Sequence, residues 1–212
     1  MIRLAISVEG QTEQEFVYKI LTPFFRDYHI EMIPIIISTS RDKCGRKHKG
    51  GCINIDRIEN EISKLLNNFD YVTTFYDFYG FQKRPTNDIE ELEKIIYNLF
   101  DNINFIPYIQ KYEFETLLFS NPEYYKELFG NSIITNKMTE MINNVNGNIE
   151  KINNSIQTSP SKRLEKLFNE IEEKYDKVFY GEAIITDIGL ELIREKAQRF
   201  DKWIKKIIKL SF

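Results

Sequence analysis

Four short apolar runs, separated by stretches with helical spacing, constrain this chain more than any other feature. Ile2 to Val8, Ile30 to Ser38, Tyr71 to Tyr76 and Phe105 to Gln110 read as strands, each being short and rich in β-branched or aromatic residues. Between the first two lies Thr12 through Phe25, with Phe16, Val17, Ile20, Leu21 and Phe24 at helical spacing. Thr12 and Glu15, three residues on, have the pattern of a capping box. Thr39 to Cys52 reads as a polar loop, a helix follows from about Asp56 to Leu66, and another opens at Asp88 and runs through Phe100. Strands alternating with helices imply an α/β fold with a mainly parallel sheet of about four strands flanked by helices, and near-continuous apolar runs fit strands covered on both faces.

After Glu113 the pattern turns helical, with Asn-rich spacers such as Asn143 to Asn154 and one further strand-like stretch, Ala183 to Ile185. The expected organisation is an α/β core over residues 1–120 and a mainly helical C-terminal extension over 121–212 packed on it, which 212 residues accommodate. No apolar run approaches the roughly 20 residues that span a bilayer, and the N-terminus lacks a signal-peptide pattern, so a cytoplasmic location is expected. Two cysteines, Cys44 and Cys52, cannot make a disulfide framework. Cys44-x3-His48-x3-Cys52 supplies three ligands without the paired C-x2-C knuckle of structural zinc, and a basic loop touching nucleic acid is the better use of that segment.

The net charge of −3 gives no general attraction for nucleic acid, but positive charge is concentrated locally. One cluster holds Arg41, Lys43, Arg46, Lys47 and Lys49; a second runs from Arg194 through Lys209. Lys47 and Arg194 are therefore candidate phosphate contacts. For the second cluster the competing explanation is a solvated Lys face on a helix whose Phe200, Trp203, Ile204, Ile207 and Ile208 point inward.

Ligands of parallel sheets bind beyond the carboxyl ends of the strands. Glu9 follows the first strand, Gly10 permits a tight turn, and Glu13 lies in the first turn of the next helix. Asp77 ends the third strand ahead of Gly80. Two carboxylates delivered by neighbouring strands, Glu9 and Asp77, make a hard oxygen site suited to Mg²⁺ or Mn²⁺, which could polarise a phosphate and activate water, with Glu13 expected as a secondary ligand or a water-orienting base. The alternative is ordinary: Glu13 favours the helix dipole and Glu9 is a solvated loop residue.

V-E-G-x-T-E followed by a strand-terminal D-x-Y-G resembles Toprim catalytic domains, most closely those of overcoming-lysogenization-defect type nucleases. The Ile106–Gln110 segment leading into Glu113-Phe114-Glu115-Thr116-Leu117-Leu118-Phe119, then Pro160-Ser161-Lys162-Arg163-Leu164, Ile188-Gly189-Leu190 and Ile193-Arg194, resembles the bacterial family called domain of unknown function 4276. The resemblance covers nearly the whole chain. It implies a Toprim-like, Rossmann-like fold, gene neighbourhoods that often include an ATPase, and work in defence against phage. The implied activity is a metal-dependent nuclease acting on DNA or RNA. Toprim domains generally carry a D-x-D pair, where this chain has Asp77-Phe78-Tyr79, and the closer family usually has His where Tyr112 stands. Glu113 or Glu115 then substitutes as a ligand, or one metal binds. The two diverge in a helix and share a face only in extended backbone, and Glu113 is the expected one.

Ser161, Lys162 and Arg163 open a helix expected to run to Tyr175, an arrangement suited to phosphate because N–H groups and cations converge there, and Lys162 is expected to act in catalysis by binding the scissile phosphate or neutralising transition-state charge. A plain helix start with exposed bases is the rival. No P-loop or G-x-G-x-x-G is present, so ATP hydrolysis would come from a partner. Two further functions fit: a catalytically weakened Toprim module that binds nucleic acid or an ATPase as a sensor, and an enzyme acting on a small phosphorylated molecule in a closed pocket.

Overall fold

A computed structural model describes residues 1–41, 47–49, 53–153 and 155–212. The chain forms two compact units, Met1–Lys111 with Ile208–Phe212 (unit 1) and Tyr112–Ile207 (unit 2). The fold is α/β, as the alternation of strand-like and helical stretches requires.

Unit 1 contains β1 (Ile2–Val8), α1 (Gln11–Phe16), α2 (Thr22–Arg26), β2 (Ile30–Ile36), β3 (Ser38–Arg41), β4 (Lys47–Lys49), α3 (Ile55–Leu66), β5 (Tyr71–Asp77), α4 (Ile89–Asn98), β6 (Phe105–Ile106) and β7 (Ile109–Gln110). Its sheet has the order β2-β1-β5-β6, every pair parallel, with β7 also on β5. Leu4 through Val8 are buried without interruption, as a strand covered on both faces must be. Side chains set the helix starts: Asn54 accepts from Arg57 N–H for α3, and Asp88 from Glu91 N–H for α4.

The first helical stretch departs from expectation in two ways. Thr12 and Glu15 form no capping box: α1 begins at Gln11 behind Gly10, no side chain caps it, and Thr12 is buried in its first turn. The helical stretch also widens into a π turn at Val17–Leu21 just before Pro23, whose ring cannot donate a hydrogen bond and crowds the carbonyl four residues back. Thr22 Oγ1 donates to the Met32 carbonyl at 2.8 Å, holding α2 to β2.

The fourth strand is two pieces, because Pro107 interrupts Phe105–Gln110. The gap is bridged from β5: Thr73 Oγ1 donates to Ile106 O at 2.6 Å, and Thr74 Oγ1 donates to Tyr108 O at 2.8 Å while accepting from Tyr108 N–H at 2.9 Å. Within the stretch read as a loop, β3 and β4 pair antiparallel. Ile2 N–H donates to His29 O at 2.8 Å, and Ser211 Oγ donates to the adjacent carbonyl of Tyr28 at 2.6 Å.

Unit 2 is helical: α5 (Pro122–Phe129), α6 (Ile133–Asn143), α7 (Pro160–Asn169), α8 (Lys177–Ile188), α9 (Leu190–Lys196) and α10 (Gln198–Ile208), the last ending in unit 1. A 3₁₀ segment, Phe114–Ser120, is buried along its length. Ala183–Ile185 lies inside α8 and is not a strand: the Asp176 side chain caps that helix by accepting from Phe179 N–H, and the β-branched Ile184 and Ile185 are buried within it. α7 stops at Asn169 and does not reach Tyr175; Glu172 adopts a left-handed φ of 60°, which no helix continues through. On α10, Phe200, Trp203, Ile204 and Ile207 are buried while Lys202, Lys205 and Lys206 are exposed. Among the described residues no helix is long and apolar enough to cross a membrane.

Candidate functional site

Register decides what meets at the carboxyl rim of unit 1. Val8 of β1 is paired with Phe75 of β5, so the residues that follow emerge side by side: Glu9 just past β1, and Asp77 at the end of β5. Glu9 Oε1 accepts the Asp77 backbone N–H at 2.8 Å. Glu9 is half-buried, while Glu13 and Asp77 are 3% and 8% exposed. Glu13 turns back toward the loop, close enough that a Cβ placed on Gly10 would stand 3.2 Å from its Oε2.

Gly80 sets the position of Glu9. After Asp77 the chain enters a 3₁₀ turn, Phe78–Gly80, and a Cβ on Gly80 would lie 2.5 and 2.7 Å from the two Glu9 carboxylate oxygens. Only a residue without a side chain lets the carboxylate sit there. Tyr79 is in the same turn, its ring against Phe78 at 5.9 Å. Arg84 donates to the Phe78 carbonyl at 2.9 Å and lies 4.2 Å over the Phe78 ring, adding a cation to the loop that carries Asp77.

Beneath the rim the polar groups are satisfied internally. The Tyr76 hydroxyl donates to Ser7 Oγ at 2.6 Å; complete burial drives this phenol far above its ordinary pKa despite the Ser7 bond, and the charges of Glu61 and Glu9 add to the rise. Gln110, fully buried, is the register partner of Asp77 and accepts from the Tyr108 hydroxyl at 2.8 Å.

In unit 2, Glu113 and Glu115 part company. Glu113 is extended, at the start of the 3₁₀ segment, and its Oε2 accepts the Ser161 backbone N–H at 2.9 Å. The anion at the α7 N-terminus is thus a side chain of the same unit. Glu115 is 1% exposed, with Oε1 3.4 Å from Lys177 Nζ; Tyr175 is also buried, its phenol pushed up by burial and then by the charge of Glu115. Among the described residues the Tyr175 hydroxyl has no hydrogen-bond partner. Lys162 Nζ donates to Ile156 O at 3.0 Å and Arg163 Nε to Thr158 O at 2.9 Å.

Arg194 is spent inside unit 2, with Nε on Asp201 at 2.8 Å and a further contact to Glu191 at 3.5 Å. The side chain of Lys47 and the Cys44-His48-Cys52 ligands lie outside the described residues. Among those described, no three His, Cys, Asp or Glu side chains group so as to hold a metal ion. The sequence reading named Gly80 and Gln110 without giving them a role at the rim, and passed over Arg84. For Gly80 a signal existed, since a strand-terminal carboxylate followed by a glycine three residues on invites the question of what approaches that glycine.

The chain matches the family described as Domain of unknown function (DUF4276) over residues 8–208. No curated protein and no solved structure matches it.

Proposed function

Because this chain belongs to the family described as Domain of unknown function (DUF4276), a description that carries no reaction, we propose from the site itself that it is a divalent-metal-dependent nuclease of Toprim-like kind. In this reading it is cytoplasmic and works with an ATPase in defence against phage. One observation carries the proposal: Glu9 and Asp77 leave adjacent parallel strands at the same rim, tied by the 2.8 Å bond from Asp77 N–H to Glu9 Oε1.

The donor set is all oxygen, which suits Mg²⁺ or Mn²⁺. Mg²⁺ commonly takes one or two protein carboxylates and completes its shell with water and substrate phosphate, so a pair suffices where no group of three exists among the described residues. Glu9 and Asp77 would hold the ion; accepting one N–H does not exhaust a carboxylate, which offers about four lone-pair sites. When bound, the ion supplies Lewis acidity toward the phosphate and toward a water nucleophile. Gly80 keeps the Glu9 carboxylate at the rim, and Glu13 adds negative charge at the start of α1. Arg84, held by the Phe78 carbonyl and the Asn87 side chain, is a cation of the neighbouring loop that a phosphate could meet.

The rival reading, a weakened Toprim module acting as a sensor for nucleic acid or an ATPase, draws on Tyr79 in place of a second aspartate and on Glu113 being engaged at α7. One experiment separates the two. Purified protein is incubated with DNA and RNA panels in Mg²⁺ or Mn²⁺, alone and with an ATPase encoded beside it. Cleavage that needs metal and falls at least about 100-fold in Glu9→Gln and Asp77→Asn is expected for groups acting directly. Activity unchanged by both substitutions removes these roles; no cleavage, with intact ATPase binding, selects the sensor.

A further inference from the structure

We infer that a cavity of about 240 Å³ in unit 2 binds a small, multiply charged phosphate compound of the mononucleotide class. It uses none of the residues of the proposed metal site and does not rest on the nuclease reading. Lys137 of α6 and Lys162, Arg163 and Lys166 of α7 all line it, against a single carboxylate, Glu170. Glu170 is already paired with Lys137. The other three cations make no ion pair among the described residues. Backbone carbonyls orient two of them, Ile156 O for Lys162 and Thr158 O for Arg163, but neutralise neither charge.

The arrangement opposes local helix physics. Lys162 and Arg163 stand in the first turn of α7, where cations face the positive end of the dipole, and Lys166 repeats the charge one turn beyond Lys162. Glu113 offsets part of this at Ser161 N–H. A bound phosphate would offset the rest, by charge-assisted hydrogen bonds from donors already held in place. The chain carries a net charge of −3, so this is a local concentration and not a share of a generally basic surface.

Size and shape select the ligand. The cavity, about 240 Å³, has room for a phosphate and its sugar. Proteins that hold single strands spread cations along a groove and add exposed aromatic platforms. Here the cations converge from separate segments, and the wall between them is aliphatic, from Leu167 and the adaptable thioether of Met141.

Isothermal titration calorimetry on the whole chain tests this with ADP, AMP, pyrophosphate, adenosine and a 5′-hydroxyl oligonucleotide. ADP and AMP should bind, adenosine should not, and added salt should weaken both nucleotides. Lys166→Glu should weaken ADP at least about tenfold, by loss of one charge-assisted contact and added repulsion, with unfolding temperature unchanged because Lys166 makes no hydrogen bond or ion pair among the described residues. Lys162→Ala is the second variant, and Glu9→Gln should bind as the native chain does. The inference fails if no phosphate compound binds at millimolar concentration, or if ADP affinity is unchanged in both lysine variants. It also fails if Glu9→Gln alone abolishes binding, or if the oligonucleotide binds more tightly than ADP and displaces it.

Discussion

At the scale of single residues, the tightest constraint falls on an atom that is not there. Gly80 leaves the space that the Glu9 carboxylate fills, and the flexible end of Glu9 is what a methyl group would meet. Gly80→Ala should therefore displace the carboxylate while costing the fold less than about 1 kcal/mol, in the range of substitutions that relax locally. If the nuclease reading holds, metal-dependent cleavage should fall by about 100-fold, the scale of a roughly 1 Å misplacement, with circular dichroism and melting temperature near native. Full activity in Gly80→Ala would show that the position of Glu9 is immaterial. Glu9 and Asp77 were legible in the sequence because a strand end delivers its next residue to a known place. The partner of Glu113 was not legible in the same way: Ser161 N–H is 48 residues away, and nothing local points to it. The same holds for Lys137, which joins Lys162 and Arg163 only once α6 and α7 have packed.

Among the elements, the four apolar runs and the parallel sheet were readable from period and length, whereas interruptions were not. Pro107 breaks the fourth strand, and two threonines of β5 repair it through side chains, a device that looks in sequence like ordinary β-branched filling. Thr74→Val keeps the shape and removes the hydroxyl that both donates to and accepts from Tyr108. It should destabilise unit 1 by about 1–3 kcal/mol, the cost of losing buried hydrogen bonds, read as a lower midpoint in urea at unchanged slope. A midpoint within error of native would mean the threonine bridge contributes nothing. The π turn before Pro23 was equally hidden: helical spacing of Phe16, Val17, Ile20 and Leu21 survives a single wide turn, so the pattern alone reads as one α-helix. Tertiary setting likewise made Ala183–Ile185 helical, against its β-branched composition.

For the molecule taken whole, stability should depend on pH through ion pairs that the sequence showed only as a run of charge. Burial by itself would raise the pKa of Asp201, but hydrogen bonds from Lys205 and Arg194, with their charges, outweigh it and hold it below its ordinary value. A carboxylate with a lower pKa folded than unfolded stabilises the fold fully above the unfolded value, about 3.9, and loses that contribution as pH falls through the folded value. Asp201→Asn should thus be less stable than the native chain at neutral pH by up to about 1 kcal/mol, with the gap closing below about pH 4. Trp203, the single tryptophan, is 2% exposed two residues away and reports the unfolding by fluorescence. A gap that persists unchanged in acid would assign the loss to packing.

The two fastenings at Tyr28 and His29 have a topological consequence. They hold the opening of β1 and the stretch around Ser211 to neighbouring peptide groups, so residues 212 and 1 can be joined by a linker of a few residues. New ends could then be cut at an exposed spacer such as Asn144–Gly147. In that circular permutant the residues of unit 2 preceding the cut would stay attached to Lys111, and those following it would lead through the linker into β1, presenting the folding reaction with an altered order of synthesis and the same set of contacts.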